Sequence, residues 1–79
     1  MSRENQGTRY LQLTTELGEA QASLARSMQF LERARAEVSA KPQSASARAG
    51  HHAAQATVGY KQSLIASLTI LVAAEVGAE

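Results

Sequence analysis

Tyr10, Leu17, Leu24, Leu31 and Val38 stand seven residues apart along the first half of the chain. Between them Leu13, Ala20, Ser27 or Met28, and Ala34 complete an alternation of three and four. That alternation draws one narrow stripe down an α-helix, the pattern of coiled coils and antiparallel bundles. A chain built on it is expected to be all-α. With no proline or β-branched run to stop it, the first helix should reach from about residue 8 to about residue 40, roughly 45 Å at 1.5 Å per residue. Gly18 weakens it by on the order of 1 kcal/mol relative to alanine. The residues before it are polar, with Thr8 or Ser2 as candidate N-caps. Glu16, Glu19, Arg26, Glu32, Arg33, Arg35 and Glu37 occupy the other faces and read as a solvated surface, where pairs such as Arg33 with Glu37 and Glu37 with Lys41 add only tenths of a kcal/mol.

Pro42 ends that helix, because the residue before a proline avoids helical geometry and the ring cannot continue the hydrogen-bond ladder. Residues 41–45 then form a turn, Ser44 or Ser46 caps a second helix over about residues 46–76, and Gly77 is a candidate C-cap. Ala53, Ala54, Ala56 and Gly59 make the start of this helix thin enough for close approach, and its bulk arrives after Tyr60. Folding back at Pro42 sets Leu64, Leu68, Leu71 and Val72 against the stretch from Tyr10 to Leu24. The expected fold is one antiparallel two-helix hairpin spanning residues 1–79.

Such a hairpin has a burial problem. Along Val58 to Val76 the residues Val58, Ile65, Leu68 and Val72 make one stripe, Leu64 and Leu71 widen it, and Ile70 points elsewhere with Ala66, Ala73 and Ala74. A helix apolar over so much of its circumference needs more than one neighbour. At 79 residues the chain lies where a single core is marginal without oligomerisation. Two hairpins dimerising into a four-helix bundle are one remedy, and a different protein is another. Ile70, Phe30 and the Leu64/Leu71 edge are expected to stay uncovered, and contiguous apolar patches of this kind mark interaction surfaces.

Chemical sites are scarce. The chain has no cysteine, so disulfides and thiolate metal sites are excluded and a reducing, cytoplasmic setting fits. Basic and acidic residues are interspersed at a net charge of +1, which argues against direct nucleic-acid binding. The amino terminus has no apolar run of signal-peptide type, and the nearly uncharged run Gln62 to Ala74 is shorter than the roughly 18 to 20 residues that span a bilayer, so no membrane partner is expected. His51 and His52 point about 100° apart on a helix and cannot chelate one ion together. Two helices enclose no pocket for a hydrolytic triad at Ser63 or Ser67, and Gly50 and Gly59 lack the spacing of a phosphate loop. Neither catalysis nor a cofactor is expected.

The segment from Gly59 to Glu75, with its aromatic-x-Gln opening at Tyr60 and Gln62 and with Ser67 and Ile70 in a Ser/Thr-dotted aliphatic run, resembles the carboxy-terminal helix of TraM-type quorum-sensing antiactivators. That resemblance implies a protein that binds a LuxR-type transcriptional activator and keeps it off DNA. The pairing of a heptad helix with a Leu/Ile-rich second helix is also similar to the hairpin co-chaperones of type III secretion, which hold a needle subunit. The expected activity is therefore stoichiometric inhibition through helix-in-groove binding to a protein partner. Its partner-binding residues are expected to be Met28, Phe30, Tyr60, Leu64, Leu68, Ile70 and Leu71, with Phe30 and Tyr60 as aromatic anchors.

Overall fold

A computed structural model describes the backbone from residue 2 to residue 77 and the side chains from residue 7 to residue 77. It contains two helices, α1 (Ser2–Ala40) and α2 (Ala45–Gly77), packed antiparallel against each other. α1 starts earlier than the polar composition of its first residues suggests, which places Thr8 well inside the helix instead of at its cap. At the turn, Lys41 N–H still donates to the Glu37 carbonyl, and Ser44 N–H donates to the Lys41 carbonyl. Ser44, not Ser46, caps α2: its Oγ accepts from Ala47 N–H at 3.1 Å and its carbonyl accepts from Arg48 N–H at 3.2 Å. Gly77 is the last helical residue described, and no glycine among the described residues has positive φ, so the left-handed cap expected there is not formed.

The molecule is a rod of 61 × 14 × 13 Å, its length set by α1, whose 39 residues rise about 58 Å. Its radius of gyration is 17.7 Å, where a globular domain of this length measures about 12 Å. The surface follows suit. It totals 5912 Å², against about 4,600 Å² for a compact monomer of 8.4 kDa.

Between the helices runs a seam one side chain deep. From α1, Leu13 is buried and Leu17, Ala20, Leu24, Leu31, Ala34 and Val38 are half-buried, in the repeat that the sequence carries. From α2, Ala47, Ala54, Val58 and Leu68 are buried, with Ile65 and Val72 half-buried between and beyond them. Tyr10 remains 40 % exposed, because at the free end the seam runs into Glu75, which pairs with the adjacent Arg9 at 3.5 Å. Among the described residues neither of the expected bridges, Arg33–Glu37 or Glu37–Lys41, forms. Of the four small residues expected to admit α1 closely, Ala54 alone is in the seam. Ala53, Ala56 and Gly59 face outward, and a Cβ on Gly59 would meet nothing within 4 Å. No described side chain is fully enclosed, which is the geometric consequence of having two helices and no third layer.

Candidate functional site

The seam is not purely apolar. Counting by three and four from Val58 and Leu68 places Lys61, His51 and Glu75 on the same stripe of α2, and all three are half-buried. Lys61 is the best satisfied of them. Its Nζ donates to Ser27 Oγ at 2.6 Å and to the Ser23 carbonyl at 3.5 Å. This settles which of Ser27 and Met28 holds the α1 seam position: Ser27 faces Lys61 and Met28 is 47 % exposed. His51 is the reverse case, with its Nε2 enclosed and without a hydrogen-bond partner. Charge and hydrogen-bonding groups here fix how the helices pair. They form no chemical centre, and among the described residues no three His, Cys, Asp or Glu side chains gather to hold a metal ion.

Each side of the seam is a flank open to solvent, and the two flanks differ. One carries Thr14, Gln21, Met28 and Arg35 from α1 with Arg48, Gln55, Gln62 and Thr69 from α2, each set at seven-residue spacing. It is polar apart from Met28 and, seven residues beyond Thr69, Val76 at the free end, which is 54 % exposed. The other carries Thr57, Leu64 and Leu71, also seven apart, beside Phe30 of α1. Phe30 is 60 % exposed, Leu64 40 % and Leu71 42 %. Thr57 donates its hydroxyl to the Ala53 carbonyl at 3.1 Å, so its polarity is met within the helix.

Phe30 stands between two shallow hollows on this flank. One, of about 320 Å³, is lined by Arg26, Ser27, Phe30, Ala53, Ala54 and Thr57. The second, of about 300 Å³, lies nearer the turn and is lined by Phe30, Arg33, Ala34, Glu37, Ser46, Ala47 and Gly50. Both exist because α2 is alanine- and glycine-rich there while α1 carries a full-sized ring. Hollows of this shape accept side chains from another helix.

The residues expected to bind a partner therefore separate. Phe30, Leu64 and Leu71 share the apolar flank, and Tyr60, 70 % exposed and seven residues from hollow-lining Ala53, borders it. Met28 lies on the opposite flank, and Ile70, 68 % exposed, is on the back of α2 away from the seam. Leu68 is 7 % exposed and packed against α1, so it is a seam residue and has no side chain to offer a partner. The seam role of Lys61, His51 and Glu75 escaped a reading that followed large aliphatic residues alone, although extending the three-and-four count through the polar positions would have found it.

By length and composition α2 is long and apolar enough to cross a membrane, with 11 % of its most apolar window buried in the hairpin. The uncharged run from Gln62 to Ala74 understated this, because a window that tolerates one or two charges extends further along the helix. Comparison of the chain with protein families, curated proteins and solved structures found no match.

Proposed function

We propose that the chain is a non-catalytic protein-association module: the hairpin displays the flank of Phe30, Leu64 and Leu71, and another helical surface closes it. The observation that supports this reading is the exposure of three large apolar side chains, Phe30, Leu64 and Leu71, together on one flank of the described rod. In its specific form the captured protein is a LuxR-type transcriptional activator, held off DNA, as the resemblance of Tyr60, Gln62, Ser67 and Ile70 implies. The test is a mobility-shift assay in which an acyl-homoserine-lactone-responsive activator bound to its promoter fragment is titrated with the chain. Wild type releases the DNA, whereas Leu64→Arg with Leu71→Arg does not while keeping its helical circular dichroism. Leu68→Arg is the wrong probe, because it breaks the hairpin itself. Failure of folded wild type to release DNA from any such activator rejects the specific form.

A further inference from the structure

We infer that a second copy of this chain occupies the apolar flank, with α1 lying antiparallel on α1 and α2 on α2 about a two-fold axis that passes near Ser23. The inference rests on reading that flank as an association surface, and it names the occupant.

Two independent features of the flank select this arrangement. The first is charge. Glu19, Arg26 and Arg33 are seven apart on the strip of α1 that borders Phe30, and Glu16 lies on the same strip as Ser23 and Phe30. All four charged side chains are exposed, and none is in an ion pair within the hairpin. Around Ser23 the strip is thus acidic on the free-end side and basic on the turn side. Its ends carry the reverse signs, Arg9 seven residues before Glu16 and Glu37 seven after Phe30, and the two-fold axis sets these opposite each other as well. Rotation by 180° about Ser23 lays Glu19 opposite Arg26 of the second copy, and Glu16 between Arg26 and Arg33 of the second copy. The other two-fold placement, with its axis along the rod, lays α1 on α2 of the second copy and leaves these charges facing Thr57, Leu64 and Leu71, with no opposite charge to meet.

The second feature is shape. The Lys61–Ser23 contact puts residue 61 of α2 level with the axis. The same rotation then brings Leu71 of one copy over the hollow that Phe30, Ala53, Ala54 and Thr57 line in the other, and Leu64 beside Tyr60. Bulk near the free end meets the thin stretch near the turn, twice over. Such an interface is isologous, so one surface satisfies both copies. The area agrees: the rod exposes about 1,300 Å² more than a compact monomer of its mass, and a stable interface removes about 800 Å² per partner.

The experiment is sedimentation equilibrium on the full chain with three sets of variants, each checked for helicity by circular dichroism. Wild type is expected at twice the chain mass of 8.4 kDa. Glu16→Arg with Glu19→Arg makes the strip wholly basic between residues 16 and 33, and Arg26→Glu with Arg33→Glu makes the same stretch wholly acidic. Each chain alone is expected to be monomeric, and an equimolar mixture to return to the dimer mass. Since the chain has no cysteine, Ser23→Cys is expected to oxidise to a covalent dimer, while Ala22→Cys, on the outer face, stays reduced. A wild-type monomer at submillimolar concentration overturns the inference, as does a dimer that ignores the charge reversals or cross-links equally through Ala22→Cys. Release of an activator from DNA by a chain that is monomeric alone overturns the second copy and leaves the association reading standing. A dimer of the expected register that releases no activator does the opposite to the reading's specific form.

Discussion

Leu68 is where the hairpin is most sensitive. It is one of five buried apolar residues, at 7 % exposure, and the largest of those on α2. Truncating a buried leucine to alanine costs about 2–5 kcal/mol, less where the surroundings can collapse into the space. The seam here is open on both sides, so the neighbours can move and the cost falls at about 2–3 kcal/mol. Folded domains hold about 0.05–0.15 kcal/mol per residue, or roughly 4–12 kcal/mol at this length, and a rod with so shallow a core belongs at the lower end. Leu68→Ala therefore removes about half of the total and lowers the melting temperature by roughly 10–20 °C. Ile70→Ala, two residues away and 68 % exposed on the back of α2, changes stability by less than about 0.5 kcal/mol. Thermal melts of the three chains, followed at 222 nm at matched concentration, compare them directly. Equal losses from the two substitutions, or a Leu68→Ala chain that melts with wild type, would refute the assignment of the seam.

Substitutions at four other positions read separate parts of the rod. Gly18 and Gly59 lie in helix interiors with open space where a Cβ would go, so Gly18→Ala and Gly59→Ala are each expected to stabilise by about 0.5–1 kcal/mol in urea titrations. His51→Leu replaces an enclosed nitrogen that has no partner with apolar volume in the seam, and is expected to raise the melting temperature by several degrees, about 1 kcal/mol or more. Lys61→Ala loses both hydrogen bonds and the packing of the aliphatic stem and costs about 1–2 kcal/mol. Lys61→Leu restores the apolar contact and returns close to wild type, which chemical denaturation of the pair distinguishes.

The hairpin was legible because its determinants are local. A repeat from Tyr10 to Val38 specifies a helix and its buried face, and Pro42 followed by Ser44 specifies where the chain must turn and where the next helix begins. The uncovered side chains followed from a count of apolar volume against two helices, and Phe30, Ile70, Leu64 and Leu71 are indeed exposed. The division of those side chains between flanks was harder to see. Membership of a flank depends on which residues hold the seam, and α2 holds it with Ala47, His51, Ala54, Lys61 and Glu75 as well as with its aliphatic residues. Hydrophobicity alone put Leu68 among the partner contacts, because on that measure Leu64, Leu68 and Leu71 are indistinguishable. The three-and-four count separates them, for Ile65, Leu68 and Val72 follow it while Leu64 and Leu71 fall one position off, and carried on between Val58 and Ile65 it reaches a lysine, Lys61.

That lysine also bears on why the chain pairs in one register. A seam of Ile, Leu and Val alone can slide by a heptad with little loss, since one aliphatic layer resembles the next. A charged amine at one position resists this, because a shift by seven residues takes Nζ from Ser27 and the Ser23 carbonyl and sets it beside Ala34 and Phe30 in one direction, or beside Ala20 and Glu16 in the other. Polar residues at seam positions lower stability and specify register. In this rod the register has a second consequence, for it decides what faces the flank. With Lys61 level with Ser23, the bulky Leu64 and Leu71 fall on the free-end side of that level, and the hollow beside Phe30 falls on the turn side. Shifted by one heptad in the first of those directions, Phe30 would lie between Thr57 and Leu64 instead of between Gly50 and Thr57, and the hollow would fill. The interior lysine and the exterior shape are thus one arrangement, in which the hydrogen bonds inside the seam hold open the surface available to another helix.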